Sequence, residues 1–480
     1  MLFRIMLSSI RDDAERRVTW RKWIASALVL AAPAALGVYF RPDCAIRVVT
    51  STVADAVCAK TFVSGIDPQA AFAETVDRPR IRRLRWVMRY QVDGAAKTVD
   101  ASVMGLLGSR AAFHDGFGCV LLHGSKEPYL PRSDIDALKA PRDPPLLPEI
   151  AGPEIVEPSD PALKTALDHA FEEPAEPPFR RTKAVVVVHD GKIIAERYAS
   201  GIGAATPLLG FSMTKSVVNA LIGVLVRQGV FTPSMPAPIP EWRAVTDPRH
   251  EIRIGHLMRM TSGLALDETN FGFDPSSRMY LYDDMAGFAV KAPMMARPGT
   301  RWQYSSAATQ LLARIISDAV GGPEKTLAFA WRELFNPLGM RDVTLAFDAG
   351  GMLQGSANML ASARDWARFG LLYLNDGVID GRRILQNDWV AFSTTATLNT
   401  DYGAGFWTNR SEHPNAQWRV RLGIPRDAFF AFGLLGQSTL IIPSQHLVIV
   451  RLGDSVEPAG DISGLGRLVQ EVIAAMQTQK

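Results

Sequence analysis

Apolar and polar positions alternate most regularly in two stretches far apart in the chain. AVVVVHDGKIIAERYA, starting at Ala184, reads as strand, tight turn at Asp190-Gly191, strand, which is a strong short-range hairpin signal. STLIIPSQHLVIVRLG, starting at Ser438, repeats the pattern with its turn at Pro443-Ser444. Apolar positions at helical spacing predict a long helix over residues 212–226, stopped by Gly229, and a closing helix over residues 465–476. Hairpins at both ends with helices between them predict an α+β unit: one antiparallel sheet built from both ends of the domain, flanked by helices, with an all-helical insertion. This unit occupies residues 181–478.

The chain ahead of it divides into three. Residues 23–40 carry no charge and follow Arg4, Arg11, Arg16, Arg17, Arg21 and Lys22. The pattern predicts a basic cytoplasmic tail and a membrane anchor within residues 1–41, with the remainder in the periplasm. A cleaved signal segment that leaves the protein secreted to the periplasm is the rival reading, since Ala32-Pro33-Ala34 supplies small residues. Residues 42–127 have a mixed pattern to which no chemistry attaches. Residues 128–180 hold twelve of the 31 prolines and read as an extended connector, interrupted by a short helix near residues 160–172.

With 480 residues, 47% of them hydrophobic, the chain can bury a large core. A net charge of +3 excludes a nucleic-acid track, so a small-molecule partner is expected. Three cysteines, Cys44, Cys58 and Cys119, are too few for a disulfide framework; two of them could pair outside the cytosol, Cys58 with Cys119 being one such pair. The eight histidines include no pair at helical metal-ligand spacing, so neither a metal nor another cofactor is expected. The same scarcity weakens a Ser-His-Asp account of catalysis.

Three short stretches carry candidate chemistry. Ser212-Met213-Thr214-Lys215 places a hydroxyl and an amine one helical turn apart on one face, in an apolar helix whose burial would lower the amine's pKa. Tyr304-Ser305-Ser306 follows a turn and opens a helix, where a tyrosine can relay protons. Gly433-Leu434-Leu435-Gly436-Gln437 leads into a hairpin strand, and the backbone N–H groups of Leu434 and Ser212 could form an oxyanion hole. Each stretch alone has an ordinary structural explanation. No G-x-S-x-G elbow surrounds Ser212, so an α/β-hydrolase assignment fails.

In this order the set resembles the serine β-lactamase and penicillin-binding superfamily on its class C side, which includes carboxylesterases, D-amino-acid peptidases and 6-aminohexanoate-dimer hydrolases. Ile254-Gly255-His256-Leu257-Met258 with Met260-Thr261-Ser262-Gly263-Leu264 is similar to another stretch of that family, as is GSANMLASARDWARFGLLYLNDG from Gly355. The likeness covers roughly residues 180–478. It implies Ser212 as the acylated nucleophile, Lys215 as its proton acceptor and Tyr304 as partner base and acid. Ser306 stands where many relatives have asparagine.

The third motif departs from the pattern. β-Lactamases and D,D-peptidases have a Lys or His, a small hydroxyl residue and Gly, where this chain has Ala431-Phe432-Gly433. The cation that would hold a substrate carboxylate is missing, and an unpaired carboxylate is costly to bury. Esters or neutral amides are therefore expected over penicillins, as in the 6-aminohexanoate-dimer hydrolase branch. In that branch the loop ahead of the tyrosine contacts substrate, which makes Tyr280, Tyr282 and Asp283 candidates here. A β-lactamase or D,D-peptidase, and a catalytically silent relative that binds peptidoglycan fragments or a partner, are the alternatives.

Overall fold

A computed structural model describes residues 42–123, 128–130, 134–269, 272–456 and 460–478. Its main sheet has six antiparallel strands. The first hairpin forms β5 (Thr182–His189) and β6 (Lys192–Tyr198), while β7 (Trp407–Thr408), β8 (Phe429–Gly433), β9 (Gln437–Ile442) and β10 (Leu447–Gly453) come from the C-terminal end. Their order is β7-β8-β9-β10-β5-β6, so β5 and β10, from opposite ends of the unit, pair at the centre with Val187 opposite Ile449.

The unbroken apolar run of β5 follows from burial on both faces. Val186 and Val188, with Val448 and Val450, pack into a core shared with Trp366 and Phe369 of the helix Ala363–Leu374. Val185 and Val187, with Leu447 and Ile449, pack against Leu163 and Leu167 of Pro161–Phe171 and against Leu468, Val469 and Val472 of Ile462–Gln477. The predicted sheet, with its closing hairpin and flanking helices, is thus present. Residues ahead of the sheet also join it: Ile193 N–H donates to Ile150 O at 2.9 Å, and Glu196 N–H to Val156 O at 3.0 Å.

Two expectations change. The predicted helix from residue 212 begins later, as Thr214–Arg227, and Ser212 lies in a 3₁₀ turn, Phe211–Met213, just ahead of it. Phe211 has a left-handed backbone, φ 47°, and the chain enters the helix through this tight turn. Residues 23–40 lie outside the described residues, and among the described residues no helix is long and apolar enough to cross a membrane. The membrane anchor, and the inner-membrane placement built on it, are accordingly set aside.

The segment to which no chemistry attached folds as a module with its own core. Helix α1 (Pro42–Cys58) covers an antiparallel meander of β1 (Met88–Asp93), β2 (Thr98–Val103), β3 (Leu106–His114) and β4 (Gly118–Leu122). Val53, Ala54 and Val57 meet Val99, Ala101, Ala111 and Leu121, and Cys58 is bridged to Cys119. Cys44 is free. Much of the buried face is alanine and valine between exposed charges, so the hydrophobic signal along the chain was faint. Leu209 and Leu360 of the larger unit complete this core.

Candidate functional site

The position of Ser212 is set by close backbone packing. Leu208–Leu209 pairs with Leu360–Ala361, and Gly210 N–H donates to Met359 O at 2.9 Å. A Cβ on Gly210 would stand 2.5 Å from the Trp366 ring, and one on Gly433 would stand 2.1 Å from Gly210 O. Glycine at both places lets the end of β8 lie directly on the turn that carries Ser212. Leu434, the next residue, is 59% exposed, and the chain then reverses through Leu435 at φ 63°. This brings the third sequence stretch beside the first.

Lys215 is 3% exposed, one turn along the chain from Ser212. Its Nζ donates to Ser212 Oγ at 3.1 Å, to Ser306 Oγ at 3.1 Å and to the Ser356 carbonyl at 2.7 Å. None of these acceptors is a carboxylate. Burial lowers the amine to about 8, with Glu268 pulling weakly the other way. An amine so placed sheds its proton far more readily than an exposed lysine and can accept one from Ser212.

Tyr304 lies beside the pair, its ring centroid 5.0 Å from Lys215 Nζ. Burial first, then the neighbouring Tyr402 and Glu268, pushes its phenol well above the ordinary tyrosine range. Tyr304 is therefore a neutral donor at neutral pH, and Lys215 is the basic member of the pair. Trp407 stacks on Tyr304 at 5.6 Å and Tyr402 meets it edge-on at 5.8 Å, which fixes the ring. Ser305 caps the helix Ser306–Val320 by accepting from Ala308 N–H at 3.1 Å, and this cap aims Ser306 at Lys215.

Of the three loop candidates ahead of Tyr304, the structure brings Tyr280 in and leaves Tyr282 and Asp283 out. Tyr280 is hydrogen-bonded to Ser356 Oγ at 2.8 Å, and burial raises its phenol. Tyr282 is exposed and packs on Phe288, and Asp283 is exposed with its carbonyl accepting from Gly350 N–H. Ala431 is fully buried opposite Thr439, so the third motif presents no cation there.

Sequence reasoning missed Glu268, whose carboxylate accepts from Ser306 N–H at 2.8 Å, and it missed Ser356. Ser356 holds Lys215 with a backbone carbonyl, which no side-chain pattern reports; it does lie in the GSANM stretch singled out above. Among the described residues no group of three or more His, Cys, Asp or Glu side chains converges as a metal site would.

Comparison with known proteins points the same way. Residues 168–473 match the beta-lactamase family. A 6-aminohexanoate-dimer hydrolase of Paenarthrobacter ureafaciens is 25% identical over 298 residues, 58% of this chain and 74% of that protein. Among solved structures, a penicillin-binding protein homologue from Caulobacter crescentus superposes with TM-score 0.53 at 19% identity, covering 68% of this chain and 100% of the other. EstCE1, a hydrolase with promiscuous acyltransferase activity, superposes with TM-score 0.50 at 15% identity, covering 65% and 96%. The two structural likenesses bear on the fold.

Proposed function

This chain belongs to the beta-lactamase family, and we propose that it is a serine hydrolase that opens ester or neutral amide bonds through an acyl-enzyme on Ser212. The observation that carries this reading is the 3.1 Å hydrogen bond between Ser212 and a buried lysine that touches no carboxylate. Lys215 takes the proton from Ser212 Oγ as that oxygen bonds to the substrate carbonyl carbon. The carbonyl electrons move onto oxygen, which rests on the N–H groups of Ser212 and Leu434. Collapse of this intermediate expels the amine or alcohol, which receives its proton from the Tyr304 hydroxyl, and Lys215 resupplies Tyr304. Water then attacks the acyl group while Lys215 accepts its proton, and the acid leaves with Ser212 restored.

Ala431 supports the substrate class. A carboxylate lodged there would lose its hydration for no ionic partner, at a cost of several kcal/mol. The likeness to the 6-aminohexanoate-dimer hydrolase supports linear amides over β-lactams. The test is turnover of p-nitrophenyl butyrate, a 6-aminohexanoate dimer and a chromogenic cephalosporin by wild type and Ser212→Ala. We expect Ser212-dependent cleavage of the ester or amide, lost by at least about 10⁴-fold in the variant, with weak action on the cephalosporin. Activity that survives Ser212→Ala overturns the mechanism, and binding without turnover or acyl adduct favours a silent relative.

A further inference from the structure

The module formed by α1 and β1–β4 precedes the hydrolase unit, yet it reaches the candidate site through two side chains. Arg78 lays its guanidinium over the Phe211 ring at 5.2 Å, next to Ser212. Asp55, on the inner face of α1, 7% exposed and near enough to Arg78 to feel its charge, accepts from Asn358 Nδ2 at 3.0 Å. The same Asn358 amide donates to Gln354 Oε1 at 3.1 Å, and Gln354 is tied to Phe347 O at 3.0 Å. Asn358 holds a left-handed backbone, φ 70°, which its two side-chain bonds keep in place.

Residues 354–359 form the loop behind Lys215. Ser356 O receives Lys215 Nζ, Ser356 Oγ pairs with Tyr280, Met359 N–H donates to Thr214 Oγ1 at 3.2 Å, and Met359 O receives Gly210 N–H. Asn358 lies between the carbonyl that orients the lysine and the residue that orients the Ser212 turn. Its anchor outside the hydrolase unit is Asp55.

We infer that Asp55 is a positioning residue for this site: through Asn358 it fixes the 354–359 loop so that the Ser356 carbonyl aims Lys215 at Ser212, which makes the module a working part of the hydrolase. The inference rests on the reading of Ser212 and Lys215 above. Burial raises the Asp55 carboxyl to about 7 against the opposing pull of Arg78, so the site keeps an acidic group there at a cost in solvation, as a functional contact would.

The test uses the full chain and measures the rate at which a fluorophosphonate labels Ser212, together with kcat and KM on the best substrate. The labelling rate and kcat of Asp55→Ala should fall about tenfold with KM within twofold of wild type, while Asp55→Asn, which keeps an oxygen to accept from Asn358, should recover most of the loss. Asn358→Ala should match Asp55→Ala, and the double variant should be no slower than either single one. Wild-type labelling with unchanged rates in Asp55→Ala overturns the inference. So do losses that multiply in the double variant, or a loss in Asp55→Asn equal to that in Asp55→Ala. A wild type whose Ser212 is never labelled overturns the hydrolase reading instead. Should Asp55→Ala fail to fold, Asn358→Ala and Asp55→Asn carry the same comparison.

Discussion

Two buried lysines lie on either side of the contact between the module and the hydrolase unit, and they are held in opposite ways. Lys60 contacts Glu74 and Asp454 at 2.7 Å each, with Lys183 and Arg78 beside the same carboxylates. Burial would raise the Asp454 carboxyl, but Lys60, Lys183 and Arg78 overcome it and hold the group below the usual carboxylate range. Lys215 has two hydroxyls and a carbonyl and no carboxylate in contact. Burial lowers both amines, and what separates them is the pull back toward the ammonium: Asp454 and Glu74 in direct contact at Lys60, against Glu268 without contact at Lys215. The acceptors around the nitrogen make this difference, because a contacting carboxylate favours the ammonium and a hydroxyl does so weakly.

Replacing each lysine with methionine, which keeps most of the stem, separates the two roles. Lys215→Met should lower kcat/KM by about 10³–10⁴-fold, since it removes the base. Its melting temperature should hold or rise, because a desolvated amine is gone. Parallel loss of melting temperature with turnover preserved would dissolve the contrast. Lys60→Met removes the more closely held of the two lysines that bridge Asp454 and Glu74, leaving Lys183, and should cost about 3 kcal/mol in denaturant unfolding. An unchanged midpoint would mean that the ion cluster does not hold the module. The stabilisation from Asp454 is present at neutral pH and fades as pH falls through the carboxylate range toward its lowered value.

The smallest effect is the most diagnostic. In the proposed mechanism Ser212 attack requires the neutral Lys215 amine, which burial lowers to about 8, so log kcat/KM should climb by about one per pH unit below pH 8 and level off above it. A profile flat from pH 6 to 9 would remove Lys215 as the base.

The hydrolase unit was legible because both of its signals are local. The runs at Ala184 and Leu447 are apolar on both faces, as a doubly covered sheet requires, and the three-residue spacing of Ser212 and Lys215 brings their side chains together even though Ser212 lies in the 3₁₀ turn ahead of the helix. The module was illegible for the converse reason. Its strands bury alanine and valine behind alternating charges such as Arg89, Asp93 and Asp100, and a sheet covered on one face leaves only half a signal. Glu268 and Asp55 were missed because neither belongs to a spaced motif; each matters by a single long-range contact.

The sequence by itself determined the class of the fold, the Ser212–Lys215 pair and the absent cation at Ala431, since each depends on residue type at short spacing. Tertiary structure alone decided three things. It set Tyr304 as the neutral partner of a basic Lys215, because only burial and neighbours fix which group keeps its proton. It brought the Ser356 carbonyl to Lys215 across 141 positions of chain. It also placed Asp55, 303 positions from Asn358, against the loop that holds that carbonyl. Contacts of that span are made by packing, and no local pattern encodes them.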